Sequence, residues 1–284
     1  MARVLTPETA AALRGHIGFL RELGVYDFYR REGAASEAME VPAVELLQPE
    51  VSQQAMHISP KATLAPPQVV EETEIARKHP QPVVPPALFP AAVLAPGDRA
   101  AALEAVRAEI GHCTRCPLAF AGRHTIVFGD GDPNARILFV GEGPGADEDM
   151  KGTPFIGKAG QLLNNMITAM GLKRQEVYIA NIVKCRPPGN RVPEPVEANT
   201  CTPFLFEQIG IVRPEIIVAL GSTAATYLMG GKASLSSLRG KVHPAFGTKL
   251  IVTYHPAYLL RDPRQKKEAW ADLQIAMREL AGGC

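Results

Sequence analysis

Arg136-Ile-Leu-Phe-Val-Gly141-Glu-Gly-Pro-Gly145 is a short apolar run that ends in a glycine- and proline-rich loop. The chain continues Ala146-Asp-Glu-Asp-Met-Lys-Gly-Thr-Pro-Phe155. From Gly157 a helical pattern begins, with Leu162, Leu163, Met166 and Met170 on one side. Strand, glycine loop and helix in that order open an α/β unit, and open α/β sheets hold their chemistry in such loops. Glycine lets backbone N–H groups approach a ligand closely. The loop is not a phosphate loop, because no Gly-Lys-Ser/Thr follows and no GxGxxG opens the helix. Taken singly, its parts are ordinary: GxGPG is a common turn, Asp147, Glu148 and Asp149 read as solvated loop, and Phe155 reads as core.

Three further apolar runs read as strands, at 177–183, 215–221 and 249–254. Glu215-Ile-Ile-Val-Ala-Leu-Gly221 has no polar interruption, as expected of a strand covered on both faces. Helical stretches fall at about 98–111, 158–171, 195–210, 222–230 and 264–281. This alternation predicts a three-layer α/β/α domain over 97–284, with a central four-stranded, mostly parallel sheet. A segment of that size can bury its own core.

Two strand ends carry chemistry-bearing residues. Asn181 lies in the second half of Val177-Tyr-Ile-Ala-Asn181, where strand propensity disfavours it. A side-chain amide there can donate and accept toward a pyrimidine edge, or can cap the next turn. Lys249-Leu-Ile-Val-Thr-Tyr-His255-Pro256-Ala-Tyr-Leu259 is another strand running into a loop. A second His-Pro, His243-Pro244, has no comparable strand before it and reads as structural. The cysteines are Cys113, Cys116, Cys185, Cys201 and Cys284. A CxxC with a second, widely spaced pair suits a tetrahedral zinc site or a [4Fe–4S] cluster, and spacing leaves both open. Disulfides are disfavoured, because the chain shows no secretion signal and cytosolic thiols stay reduced.

The string Gly141–Phe155, the Asn181 strand, the His255-Pro-x-x-Leu259 segment and the cysteine spacing together resemble the family 4 uracil-DNA glycosylases. These are bacterial and archaeal iron–sulfur repair enzymes. The resemblance covers roughly 98–281 and implies a uracil-DNA glycosylase-like fold. It also implies hydrolysis of the N-glycosidic bond of uracil flipped out of DNA, leaving an abasic site. It selects a [4Fe–4S] cluster on Cys113, Cys116, Cys185 and Cys201 over zinc, and Cys284 matches nothing in it.

Residue by residue, the resemblance implies that Phe155 stacks on the flipped base and Asn181 pairs with its O4 and N3–H edge. His255, with N–H groups of the Gly143 loop, stabilises the departing anion at O2. Glu142 or Asn190 orients water, and Glu148 walls off the thymine methyl. Where the archetypal uracil-removing enzyme has an Asp after the Glu142 position, this chain has Gly143, as family 4 generally does. Leu259 corresponds to the wedge that fills the vacated stack, and Lys184, Arg186, Arg191 and Arg261 are candidate phosphate contacts. Two rival functions fit parts of the pattern: a uracil-DNA binder without turnover, and a metal-containing accessory protein of DNA synthesis. The related covalent binders carry a His in a loop after the third cysteine, and no His occurs in 186–194.

Residues 1–32 hold an amphipathic segment over 6–23, with Thr6 as N-cap, Pro7 at the first turn and Leu13, Ile17, Leu20 and Leu23 on one face. It is assigned a protein partner or this protein's own surface. Residues 33–96 read as a proline-rich, disordered linker, with eleven prolines in 41–96. No apolar run reaches the ~18 residues of a membrane span, and the expectation is a cytoplasmic monomer. Residues 1–96 carry 8 Lys/Arg and 11 Asp/Glu, and 97–284 carry 22 and 18. Lys232–Lys267 holds eight basic residues and one acidic, Asp262, a bias that suits contact with a DNA backbone.

Overall fold

The computed structural model describes residues 94–282. The expected N-terminal helix, nearly all of the linker and Cys284 lie outside the described residues.

The sheet has six strands: β1 (Asp130–Gly131), β2 (Ile137–Gly141), β3 (Tyr178–Asn181), β4 (Ile216–Leu220), β5 (Val242–Ala245) and β6 (Thr248–Thr253). Their order is β1-β3-β2-β4-β6-β5. The inner four are the strands read from sequence, and they run parallel: Phe139 pairs with Ile179 on one side and Val218 on the other, and Val218 pairs with Ile251. The outer two are antiparallel additions to the four-stranded expectation. β1 is too short to leave a pattern. β5 is the edge strand of a hairpin turned at Phe246–Gly247, both with positive φ. It contains Pro244, which only an edge strand tolerates. His243 lies in this edge, with its Nε2 2.8 Å from the Leu238 carbonyl, a structural placement.

Strand alternation sends neighbouring side chains to opposite faces. Leu138 and Val140 enter one core, with Ile217, Ala219 and residues of α1 (Arg99–Ile110), α4 (Pro195–Val212) and α5 (Ser222–Met229). Ile137 and Phe139 enter the other, with Val218 and residues of α3 (Lys158–Ala169) and α8 (Lys266–Leu280). β2 and β4 are buried throughout, which is why they read as unbroken apolar runs. The architecture is the expected three-layer α/β/α. Three short helices went unread: α2 (Ala146–Lys151), α6 (Leu235–Leu238) and α7 (Pro256–Arg261).

All four parallel strands end at one edge. The chain goes from β2 to β3 on one side and then to β4 on the other, so a topological switch point opens between β2 and β4. Ligands bind at such points in open α/β sheets. Among the described residues no helix is long and apolar enough to cross a membrane.

Candidate active site

A cleft of about 780 Å³ opens at this edge, a size suited to one small ligand. It gathers Glu142, Gly143, Glu148, Phe155, Asn181, Asn190, Arg191, His255 and Arg261 from loops after three different strands. Leu259, Lys184 and Arg186 are not among its lining residues.

Phe155 lies 5% exposed. Its backbone is left-handed, with φ of 53°, a conformation disfavoured for a bulky residue and concentrated at functional sites. Arg174 holds it there: Nη1 donates to the Phe155 carbonyl at 3.1 Å and Nη2 to the Pro154 carbonyl at 2.5 Å. Asn164 and Asp130 fix the same guanidinium at 3.0 and 3.2 Å. Nothing in the local sequence marks Arg174 for this task. Gly141 makes room for the ring, since a Cβ there would come within 2.5 Å of both Phe155 Cζ and Asn181 Oδ1. Gly143 is equally confined, and any Cβ would press on Val183 Cγ2 at 2.8 Å.

Asn181 ends β3 at 1% exposure. Its Oδ1 is buried with no hydrogen-bond partner. Buried polar atoms are nearly always paired, and an orphan at a cleft calls for an explanation. His255 is the N-cap of α7, and its Nδ1 accepts the Ala257 N–H at 3.1 Å. Burial, aided by Arg261 and opposed by Glu148, pushes its pKa down to about 4. The neutral ring therefore carries its proton on Nε2. The His255 and Phe155 ring centroids are 5.6 Å apart.

Glu142 Oε2 accepts the Thr223 hydroxyl at 2.5 Å, across the gap between the β2 and β4 loops. Asn190 is an exposed, left-handed residue at the rim, and its Oδ1 accepts Arg186 Nε at 2.7 Å. Glu148 faces the cleft, but its carboxylate is committed to the loop, accepting the N–H groups of Gly145 at 3.0 Å and of Ile156 and Gly157 at 2.9 Å. These bonds hold it in place as part of the cleft wall.

Two sequence expectations are corrected here. Leu259 is 0% exposed and packed in the core with α3 and α8 residues, so it has no surface to insert into a base stack. Lys184 is 1% exposed, and its Nζ donates to the Asn181 carbonyl at 2.9 Å and to Gln208 Oε1 at 2.6 Å. It braces the strand end instead of meeting phosphate. Arg191 makes a two-pronged pair with buried Glu197 at 2.6 and 2.8 Å and remains exposed at the cleft. The basic stretch is also less free than its composition implied: Arg239, Lys249 and Arg264 pair with Asp272, Glu279 and Asp262.

Away from the cleft, Cys113, Cys116, Cys185 and Cys201 line one small cavity. Arg123 ties two of these cysteines together, donating to Cys185 Sγ at 2.9 Å and to the Cys113 carbonyl at 2.6 Å. The Lys184 N–H donates to Cys201 Sγ at 3.3 Å. Burial raises the thiol pKa values of Cys116 and Cys185 and pushes Cys201 up to about 12. Among the described residues no three His, Cys, Asp or Glu groups gather as they would round one metal ion.

Residues 128–274 match the Uracil DNA glycosylase superfamily profile. A type-4 uracil-DNA glycosylase of Thermotoga maritima is 47% identical over 162 residues, 56% of this chain and 84% of that protein. One from Sulfurisphaera tokodaii is 44% identical over 188 residues, 63% of this chain and 84% of its own length. Another from Archaeoglobus fulgidus is 40% identical over 188 residues, 63% of this chain and 94% of that protein. The chain belongs to the uracil DNA glycosylase superfamily, within its type-4 group.

Proposed function

We propose that this chain is a DNA-repair glycosylase that removes uracil from DNA by hydrolysis. The observation that carries the reading is the orphaned Asn181 Oδ1 at the floor of the cleft. Uracil N3–H donates to that oxygen, and the Asn181 amide N–H donates to O4. Cytosine has no N3–H and presents an amino donor at C4, so it leaves both groups mismatched. Unpaired buried groups typically cost ~1–3 kcal/mol each. The base reaches this depth only by leaving the stack, and Phe155 supplies the face on which it lies.

The C1′–N1 bond breaks with its electron pair passing into the base, toward N1 and O2. The Nε2–H of neutral His255 donates to O2 as that charge develops, as in an oxyanion hole. A neutral donor suits this step, since it stabilises the anion without first giving up its proton. Water adds its oxygen to C1′, and its proton is accepted on the Glu142 side of the cleft. Glu142 fits this role better than Asn190, being half-buried and held by Thr223, whereas Asn190 is at the exposed rim.

The cysteine cavity supports a [4Fe–4S] cluster. Cys113, Cys116, Cys185 and Cys201 are the usual donor set, and Arg123 and Lys184 place positive charge beside two of the sulfurs. When bound, the cluster ties the CxxC segment to the β3 loop and α4, a structural task. No step of the hydrolysis uses it.

The test is incubation of the purified chain with an oligonucleotide containing one uracil, followed by alkaline cleavage. Cleavage at uracil, and none at cytosine or thymine in the same contexts, is the expected result. A denaturation-resistant protein–DNA adduct without abasic product would instead indicate a binder.

A further inference from the structure

We infer that Tyr258 and Tyr254 form a stacking platform at the mouth of the cleft for a nucleobase that flanks the extruded one. This rests on the uracil-excision reading and adds a subsite to it.

Leu259 is buried, and Leu260, the exposed apolar residue beside it, is not among the residues that line the cleft. Tyr258, the other neighbour of Leu259, lines the cleft and is half-exposed. The Tyr258 ring stacks on that of Tyr254, with centroids 5.1 Å apart and an interplanar angle of 28°. Tyr254 is anchored in turn: the Arg239 guanidinium lies 4.1 Å from its ring centroid. That Arg is only 10% exposed and is fixed by Asp272 at 2.8 Å and Glu268 at 3.7 Å. The surface is thus a braced aromatic pair, with little side-chain freedom left to lose on binding.

Position supports a base as the occupant. Tyr258 lies on the same short helix as His255, the proposed donor to the reacting base, and as Arg261, an exposed cation lining the cleft one turn further on. A strand whose uracil reaches His255 brings its neighbouring base past Tyr258 and its phosphate toward Arg261. The Tyr258 hydroxyl sits 3.5 Å from Asp262, so the ring offers a face rather than a hydrogen-bond code. Aromatic faces accept every base and act on single strands as readily as on duplexes.

The experiment uses the full chain, Tyr258→Ala and Tyr258→Phe, with single-stranded oligonucleotides bearing one uracil, or thymine in its place. In a third set one base beside the uracil is replaced by a reduced abasic unit, on each side in turn. Affinity is read by fluorescence anisotropy on the thymine strand, and K½ and saturating rate by single-turnover excision on the uracil strands. Tyr258→Ala is expected to weaken affinity and raise K½ about 10- to 100-fold, with the loss in K½ and not in the saturating rate. Tyr258→Phe is expected to restore both. On one of the abasic-flanked strands, wild type and Tyr258→Ala are expected to converge.

Unchanged affinity in Tyr258→Ala overturns the proposal. So does an equal loss on intact and both abasic-flanked strands, which marks a merely structural side chain, or failure of Tyr258→Phe to restore binding. If wild type excises no uracil, the activity reading fails, and anisotropy on the same strands, intact and abasic-flanked, still decides the platform.

Discussion

His255 Nδ1 accepts the backbone N–H of Ala257 at 3.1 Å, so the first turn of α7 fixes which ring nitrogen bears the proton. Two nitrogens share one proton in the neutral ring, and here it resides on Nε2. Replacing His255 with Ala should lower the saturating single-turnover rate by about 10²–10³, with DNA affinity little changed. The ring stays neutral down to about pH 4 because burial opposes its charge. The wild-type rate should therefore show no His255 inflection between about pH 5 and pH 8. Stability carries the matching sign: the unfolded chain binds this proton near pH 6.5 and the folded chain only near 4, so this group's contribution falls as pH drops through that window. Nitrogen NMR of the imidazole at neutral pH checks the tautomer. A proton on Nδ1 would overturn the assignment.

Asn181→Asp keeps size and removes the amide donor. Uracil excision should fall by at least tenfold, because O4 loses its donor and a buried carboxylate faces it. Cytosine, whose amino group can donate to that carboxylate, should become a weak substrate. Excision rates on otherwise identical uracil and cytosine oligonucleotides check both. Unchanged uracil kinetics would remove Asn181 from the site.

The four parallel strands were legible because burial on both faces leaves long apolar runs, and the loops after them inherit the chemistry. Asn181 and His255 stood out at strand ends, whereas Phe155, which alone reads as core, was singled out only by the family resemblance. The rest depended on contacts that sequence does not announce. Arg174 reaches partners 10 to 44 positions away, so no local pattern marks it. Lys184 looks like a phosphate contact by residue type, but it sits on the inner side of a strand end, where its amine serves a carbonyl and a glutamine. Leu259 and Tyr258 differ by one position on a helix, and which of them faces the cleft depends on how α7 packs. The sequence read as a loop there, and a loop has no inner face.

The cysteine cavity makes a prediction about protons as well as metal. Burial raises the thiols of Cys116, Cys185 and Cys201, the last to about 12, which keeps these three protonated at neutral pH until a metal displaces their protons. Loading must therefore release protons, and the metal must repay their removal. Protein purified without oxygen should be brown, with about four irons per chain. Cys201→Ala should lose the colour and unfold at lower denaturant, with its choice of base unchanged. Stoichiometric zinc without iron would sink the cluster assignment.

Glu142 and Asn190 are separated by the same logic of burial and partners. Glu142 is held by Thr223 between two strand ends, where a carboxylate can align water against a sugar carbon above the cleft. Asn190 sits at the exposed rim, bonded to Arg186. Glu142→Gln should cut the saturating rate by about 10²–10⁴, the usual range for a positioned acid or base. Asn190→Ala should act mainly on K½. Thr223→Val keeps the Glu142 carboxyl group and loosens its aim, so it should cost less than Glu142→Gln while slowing the same step. Single-turnover rates at saturating enzyme distinguish the cases. A Glu142→Gln enzyme with an unchanged saturating rate, beside an Asn190→Ala enzyme with none, would move water activation from the switch point between β2 and β4 to the rim loop after β3.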